Sequence, residues 1–333
     1  MLPTITFVAL TYNHEAYVIQ HLESIAYLIR KYKQPRIHDL VISDDGSIDL
    51  TEPLVSRWIQ TNNEIFRNVT LYSSAKNIGT CKSFLRATQN ISTDYVKITG
   101  GDDVYSNCNI FSLLTNPDKL DIIGTMPLVL INDVIYRFHR HNLIHAVANA
   151  VYANESFRNH LTGHGAIYTA GLIYAKKLIE DKWIRAFVDN FDLVEDLPTW
   201  IAIADFHPGA RYGLQHTNIV YYRRTPGSAY LIAGSRTFSD QVKCREHLYK
   251  SETNFWVKLI IKNRISIMRN ANSSRRYLLD VGKIIFCAKL IFALHIALTN
   301  LIKLVVDLRD HKIHLAMIRS KARDFTNELC EVA

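Results

Sequence analysis

Apolar, β-branched runs alternate with helix-period segments through the first hundred residues. Ile5-Thr6-Phe7-Val8-Ala9-Leu10, Leu40-Val41-Ile42, Val69-Thr70-Leu71-Tyr72 and Tyr95-Val96-Lys97-Ile98-Thr99 each have the composition of a buried strand. Between them, apolar positions recur at helical spacing. Tyr17, Ile25, Leu28 and Ile29 form the face of a first helix that Asn13 is placed to cap. A second helix begins near Pro53 behind a capping Asp49, and a third holds Phe84 and Leu85. Four such alternations predict an α/β fold with a mainly parallel sheet and helices on both of its faces.

Beyond residue 105 the pattern is less regular. Leu128–Ile131 and Val134–Tyr136 flank Asn132-Asp133 and predict a hairpin. Glu195-Asp196 precedes an apolar helix containing Trp200, Ile201 and Ile203, with Pro198 tolerated in its first turn. A further strand runs from Asn218 to Tyr222. From about residue 237 the pattern is helical, and residues 284–306 are the most apolar stretch of all. That length is enough to span a bilayer, but Lys289, His295, Asn300 and Lys303 interrupt it, and an unpaired charge in hydrocarbon is costly. On a helical projection Lys289, Asn300, Lys303, Asp307 and His314 share one side, with Ile296 among them. The expectation is one amphipathic helix, lying on a membrane surface or docked on the rest of the protein. The domain organisation expected is a catalytic domain over 1–236, with halves 1–105 and 106–236, and a basic helical extension over 237–333.

Composition sharpens this division. The 333 residues are 48% hydrophobic and 21% charged, which excludes a disordered chain. The net charge of +8 is uneven: residues 241–333 hold 17 Lys/Arg and 8 Asp/Glu, leaving 22 of the 39 basic and 23 of the 31 acidic residues for the body. A near-neutral body with a basic, aliphatic tail suggests an anionic membrane surface as the tail's partner, and no nucleic acid is expected. The five cysteines are scattered and have no Cys-x-x-Cys spacing, so neither zinc nor a disulfide framework is indicated. With a strand directly at the N-terminus and no signal-peptide pattern, a cytoplasmic protein at the inner face of the membrane is expected.

The candidate chemistry sits where the strands end. The four strands lead into Thr11-Tyr12-Asn13-His14-Glu15, Asp44-Asp45-Gly46-Ser47, Lys76-Asn77-Ile78-Gly79 and Gly100-Gly101-Asp102-Asp103. In a parallel sheet these loops share one edge and define a polar crevice. Paired aspartates there suit Mg²⁺ or Mn²⁺ bound together with ligand phosphates, although a helix-capping pair in a surface turn has the same sequence. On the residues alone, Glu195-Asp196 reads as a helix cap. The cluster Arg137, His139, Arg140, His141 and His145 reads as a solvated or substrate-facing basic face more readily than as a metal site.

Taken together, the order and spacing of these four motifs resemble glycosyltransferase family 2, with its GT-A (Rossmann-like) nucleotide-diphospho-sugar transferase fold. The resemblance is strong over about residues 4–105 and weaker to about residue 230. It implies a nucleotide-sugar site containing Thr11, Tyr12, Asn13, Glu15, Asp44, Asp45, Asn77, Gly79, Gly101, Asp102, Asp103 and Arg223. Thr11 and Tyr12 would line the base pocket, and Asp44 would accept from the base. Asp102, with Asp103 beside it, would hold the Mg²⁺ or Mn²⁺ that bridges the diphosphate, which Arg223 or Arg224 would also contact. Asp196, ahead of Glu195, would be the general base, and His164, Gly165 and Trp200 would shape the acceptor pocket. Two positions depart from the family pattern: Gly100 replaces the first aspartate of the metal motif, and Thr225 replaces a histidine that often follows the arginine. The Gln-x-x-Arg-Trp signature of processive members is missing, which implies transfer of a single sugar, with the family's usual inversion. The acceptor would be a glycan or lipid-linked hydroxyl in cell-surface polysaccharide synthesis, and a second copy of the chain is an alternative partner for the tail. A nucleotidyltransferase would share the sheet but normally carries a Gly-rich basic loop after its first strand. A non-catalytic sugar-nucleotide-binding or membrane-adaptor protein also fits the sequence, given Gly100.

Overall fold

The computed structural model describes residues 2–115, 118–153, 155–163, 167, 169–224, 236–270, 280–303 and 306–332. Eleven strands are present among them: β1 (Ile5–Thr11), β2 (Asp39–Asp44), β3 (Asn68–Ser73), β4 (Tyr95–Gly100), β5 (Val104–Tyr105), β6 (Ile122–Gly124), β7 (Leu128–Ile131), β8 (Val134–Tyr136), β9 (Ile173–Ala175), β10 (Tyr212–Leu214) and β11 (Val220–Arg223). Seven form the central sheet, in the order β10-β6-β9-β4-β1-β2-β3. Only β9 runs antiparallel to its neighbours, β4 and β6. The sheet is therefore mainly parallel, as the alternation of strands and helices predicts.

The central strands β1, β2 and β4 are buried along almost their whole length because both faces of the sheet are covered. Ile5, Phe7 and Ala9 of β1 pack into one core with Leu22, Ile25 and Trp58 from the helices Val18–Lys31 and Thr51–Asn62. Val8, Val41, Val96 and Ile98 point the other way, toward Phe84, Ile184, Ile201 and Ile203 on the helices Thr80–Ala87, Lys182–Val188 and Asp196–Phe206. The register pairs Thr11 with Asp44 and Leu10 with Gly100, so three of the four motif loops begin side by side.

A second sheet, β5-β11-β7-β8, is not evident from periodicity because its strands are only two to four residues long. Its β7–β8 hairpin is the predicted one. Asn132 and Asp133 both have positive φ (46° and 65°), the backbone of a type I′ turn, whose twist matches the flanking strands. Because β5 directly follows Asp102-Asp103 and pairs with β11, this sheet brings Arg223 back against the aspartate turn.

Two expected caps are replaced. The first helix begins at Val18, and Asn13, at φ 53°, does not cap it: its side chain accepts from the Ile48 amide instead. Asp49 does accept from the Thr51 amide (3.0 Å), but the helix starts there, two residues before Pro53.

The C-terminal region also differs from the expected single amphipathic helix. Residues 284–303 fall in two helices, Val281–Phe292 and Leu294–Lys303, bent by 85°; residues 304–305 lie outside the described residues. The polar positions turn inward. Asn300 is buried and donates to the Ala146 carbonyl (3.1 Å), and Lys289 pairs with Glu155 (2.7 Å). Ile291, Phe292 and Ile302 face outward at 73%, 92% and 70% exposure. No single described helix is long and apolar enough to cross a membrane.

The last helix, Arg309–Val332, packs on Val18–Lys31 and closes the second sheet. Leu315 and Ile318 are buried among Val104, Leu128, Leu130, Ile135 and Tyr221. His314, expected on a polar face, is buried, with Nε2 3.0 Å from the Tyr105 carbonyl oxygen and its ring 4.6 Å from that of Tyr27. This helix therefore behaves as part of the core beneath the aspartate turn. Ile318→Ala is expected to cost about 2–5 kcal/mol through the transfer and cavity terms. Urea denaturation reads this directly: a loss under about 0.5 kcal/mol, the range of a surface substitution, would show the helix to be a detachable tail.

Candidate active site

A cavity of about 380 Å³ opens at the carboxyl edge of the parallel strands. Thr11, Tyr12 and His14 of the first loop border it, with Asp45 of the second and Gly100, Asp102 and Asp103 of the fourth. Thr169, Glu195 and Asp196 complete the wall. Residues from distant parts of the chain thus share one space, as the placement of the loops on one sheet edge predicts.

The two aspartates of the second loop hold that edge together. Asp44 is buried, and its carboxylate accepts from Thr11 Oγ1 (2.9 Å), Ser47 N (2.9 Å) and Ser47 Oγ (2.5 Å). Asp45 accepts from the Ile78 and Gly79 amides (2.7 and 3.1 Å) and also borders the cavity, whereas Asp44 does not line it. Burial pushes the Asp45 carboxyl above its ordinary range against the pull of those two amides. Gly46 lies between the loops at φ 74°, and a Cβ there would stand 2.4 Å from the Lys76 carbonyl carbon, so only glycine fits. Asn77 Oδ1 accepts from Gly79 N (3.2 Å). Glu15 accepts from the Leu50 amide (2.9 Å) and donates its own amide to Asp49 (3.0 Å). The structure thus places Asn13, Glu15, Asp44 and Asn77 in the scaffold of the site, while Thr11, Tyr12 and Asp45 border its open space.

At the aspartate turn the chain passes very close to the first loop. A Cβ on Gly101 would be 2.5 Å from Thr11 Cγ2 and 3.1 Å from His14 Nδ1. A Cβ on Gly100 would be 2.6 Å from Asp102 Oδ1, so the Asp102 carboxylate fills the space beside Gly100. Asp103 is buried and accepts from the Arg223 amide (2.9 Å). Burial, then the charge of Asp102, holds its carboxyl well above the usual range. His14 Nδ1 is buried with no hydrogen-bond partner among the described residues, which leaves a nitrogen beside this wall. No group of three or more His, Cys, Asp or Glu gathers to hold a metal among the described residues. The donor set fits a divalent cation that takes one or two carboxylate oxygens here and completes its shell with ligand oxygens.

On the opposite wall, Asp196 begins the helix Asp196–Phe206. Its Oδ2 accepts from Thr169 Oγ1 and its Oδ1 from Leu197 N, both at 2.6 Å. Glu195 makes no cap hydrogen bond, so helix capping does not account for it. Burial raises both carboxyls, and the charge of Asp196 lifts Glu195 further, to about 8. Thr169 is held from below: Lys97 of β4, fully buried, donates to the carbonyl of Ala170 (2.7 Å). Burial brings the Lys97 ammonium down to about 7, opposed by the charge of Asp103. Lys97, Thr169 and His14 were not among the predicted site residues. A lysine inside an otherwise apolar strand was the available clue for Lys97, and His14 stands inside the first motif; Thr169 follows a stretch without pattern.

Two predicted positions, Arg223 and Trp200, stand elsewhere. Arg223 is 6% exposed and does not line the cavity: Nε donates to the Asp102 carbonyl (2.7 Å), Nη2 to Gln20 (2.8 Å), and the guanidinium lies over the Tyr17 ring. Its donors are directed into the scaffold, away from the open space. Trp200 is buried, donates to the Tyr174 hydroxyl (2.8 Å) and borders an adjoining cavity that shares Asp196. His164 and Gly165 lie outside the described residues, as does Thr225. In the basic cluster, His139 caps the helix Arg140–Val151 and Arg224 meets His141 at 3.1 Å.

Comparison with known proteins agrees with this fold. The family model described as Glycosyl transferase family 2 matches residues 6–178. Among solved structures, Staphylococcus aureus TarS 1-349 in complex with UDP-GlcNAc is similar at 14% identity and a TM-score of 0.55, covering 97% of this chain and 89% of that one. The same fragment with UDP aligns at 14% identity and a TM-score of 0.51, covering 96% and 92%. A longer TarS structure aligns at 16% identity and 0.53, over 97% of this chain and 54% of that one. At such identities the likeness shows the fold alone. No curated protein matches the chain. With more than half its length matched by the family model, its mainly parallel sheet and its strand-end loops gathered on one cavity, the chain belongs to glycosyl transferase family 2 and is a glycosyltransferase of GT-A fold.

Proposed function

We propose that this glycosyltransferase moves a single sugar from a nucleotide-diphospho-sugar to a hydroxyl of a glycan or lipid-linked acceptor, with inversion and with Mg²⁺ or Mn²⁺, in the assembly of cell-surface polysaccharide. The observation that carries the reading is that the aspartate turn and the Glu195-Asp196 pair are walls of one cavity. Asp102 would hold the cation, with Asp103 behind it and His14 Nδ1 beside the same wall. When bound, the cation offsets charge developing on the departing diphosphate. Tyr12, 43% exposed at the rim, offers a ring face to a nucleobase.

Asp196 is the proton acceptor in this mechanism. Thr169 and the Leu197 amide fix its carboxylate and leave lone pairs for an acceptor hydroxyl. Burial and the charge of Asp196 push Glu195 up to about 8, so Asp196 is the member of the pair that ionises first. Proton removal there, with the sugar held between the two walls, sets up attack on the anomeric carbon from the face opposite the diphosphate.

The tail supports a location. The outward apolar side chains of Val281–Phe292 and Leu294–Lys303, together with the basic excess of residues 241–333, suit the surface of an anionic membrane. The full chain is expected to co-sediment with anionic vesicles, less with neutral ones and less again at high salt. Absence of binding at low salt would refute this placement.

Asp102→Ala is expected to abolish Mn²⁺-dependent donor binding and transfer while leaving the melting temperature close to that of the parent; unchanged transfer would remove the metal assignment. Asp196→Asn should lower turnover by about 10²-fold or more with donor affinity retained. Glu195→Gln mimics the neutral acid and should be mild at pH 7. Wild-type activity should change again near pH 8, as a second charge appears beside Asp196, and that step should vanish in Glu195→Gln. A severe loss in Glu195→Gln at pH 7 would exchange the two roles.

A further inference from the structure

Asp196 also borders a second cavity, of about 490 Å³, on the side away from the aspartate turn. Three cationic side chains from three helices line it: Arg245 of Arg236–Ser251, Arg264 of Phe255–Asn270 and Lys283 of Val281–Phe292. Arg264 Nη1 donates to the Gly163 carbonyl (2.8 Å), but its Nε and Nη2 are buried with no hydrogen-bond partner among the described residues. The nearest carboxylate, Asp280, is 3.7 Å from Nε, too far for a hydrogen bond. Arg245 Nη1 donates to the Gln241 carbonyl at 3.2 Å, on its own helix. Burial, then repulsion from Arg264, brings the Arg245 guanidinium down to about 10. Three cations and two carboxylates, Asp196 and Asp280, line this cavity among the described residues, and buried guanidinium donors left over weaken a fold unless something else accepts from them. Gly282 leaves room for Arg264 and Asp280 to come together: a Cβ there would lie 2.7 Å from Arg264 Nη2 and 3.1 Å from Asp280 Oδ1.

We infer that this cavity binds a phosphoryl group of the acceptor, so that the sugar-accepting hydroxyl belongs to a sugar phosphate or polyol phosphate. The inference rests on the transferase reading above, with Asp196 as base. A tetrahedral phosphate presents three or more acceptor oxygens, enough for the unused Arg264 donors, Arg245 and Lys283 together, where a carboxylate presents two. A shared Asp196 wall puts the hydroxyl at the carboxylate while the phosphate lies among the cations. The same chemistry serves a phosphomonoester carried on a soluble polyol or on a lipid.

Inorganic phosphate is the first probe, followed by thermal shift at constant ionic strength with UDP or GDP and Mn²⁺ saturating the donor site. The wild type should show a saturable rise in melting temperature. Arg264→Gln and Arg245→Gln should each weaken the apparent affinity about tenfold, the scale of one charge-assisted hydrogen bond. Asp280→Asn keeps the size of the side chain but removes the competing anion, so it should tighten phosphate binding, a change of sign that damage to the fold does not produce. If Arg264→Gln does not fold, Arg245→Gln and Asp280→Asn decide the matter. Equal phosphate responses in the wild type and all folded variants would overturn the inference. The nucleotide responses should be unchanged in these variants; a wild type that ignores both nucleotides but retains the variant-sensitive phosphate response would sink the donor reading and leave the anion site standing. Displacement of phosphate by soluble glycerol 1-phosphate supports a polyol-phosphate acceptor. Displacement only by phosphatidylcholine vesicles containing phosphatidic acid supports a lipid-linked one, and displacement by neither overturns the proposal.

Discussion

A single buried arginine fixes the part of the molecule on which the site depends. The Arg223 amide donates to Asp103, its Nε to the carbonyl of Asp102, its Nη2 to Gln20, and its charge rests over the Tyr17 ring. These contacts join the aspartate turn, the first helix and the small sheet. Without the small sheet, Arg223 has no reason to be there; without the helix Arg309–Val332, the small sheet has an uncovered apolar face. The position of Asp102 beside the cavity is therefore set by elements that lie far from it in sequence.

The two walls of the cavity have different electrostatic characters, and Lys97 lies beneath both. It is buried, interacts with the charge of Asp103 on one side, and grips the Ala170 carbonyl on the other. The next residue back, Thr169, orients Asp196. A charge sunk below the sheet edge thereby offsets part of the cost of burying Asp103 and fixes the segment that presents the base. Burial raises both Glu195 and Asp196, and the charge of Asp196 raises Glu195 further, which sets an order of ionisation within the pair.

The C-terminal hundred residues are heterogeneous. Arg309–Val332 belongs to the core, Val281–Phe292 and Leu294–Lys303 turn apolar side chains outward, and the helices carrying Arg245 and Arg264 surround a cavity next to Asp196. The basic excess that composition reveals is thus not simply a solvated face; part of it is directed inward, where Arg264 keeps donors that no described residue accepts from.

Sequence alone determined the sheet and its functional edge. Continuous apolar runs require burial on both faces, and repeated strand–helix alternation requires parallel strands, so the ends of β1, β2, β3 and β4 had to converge. The motif glycines were legible for the same local reason: Gly46 needs a positive φ and a neighbour at contact distance. Tertiary structure decided which of the polar residues face the open space. Asp44 and Asp45 are adjacent and chemically alike, yet only Asp45 borders the cavity, because Thr11 and Ser47 take the oxygens of Asp44. Arg223 meets Asp102 across 121 residues, and Lys97 meets Ala170 across 73. The helical projection of the tail failed because it assumed one straight helix, whereas an 85° bend lets Asn300 and Lys289 reach partners on the body. Periodicity records which positions are apolar along a local axis; the partner of a polar side chain is set by packing between segments that no local pattern connects.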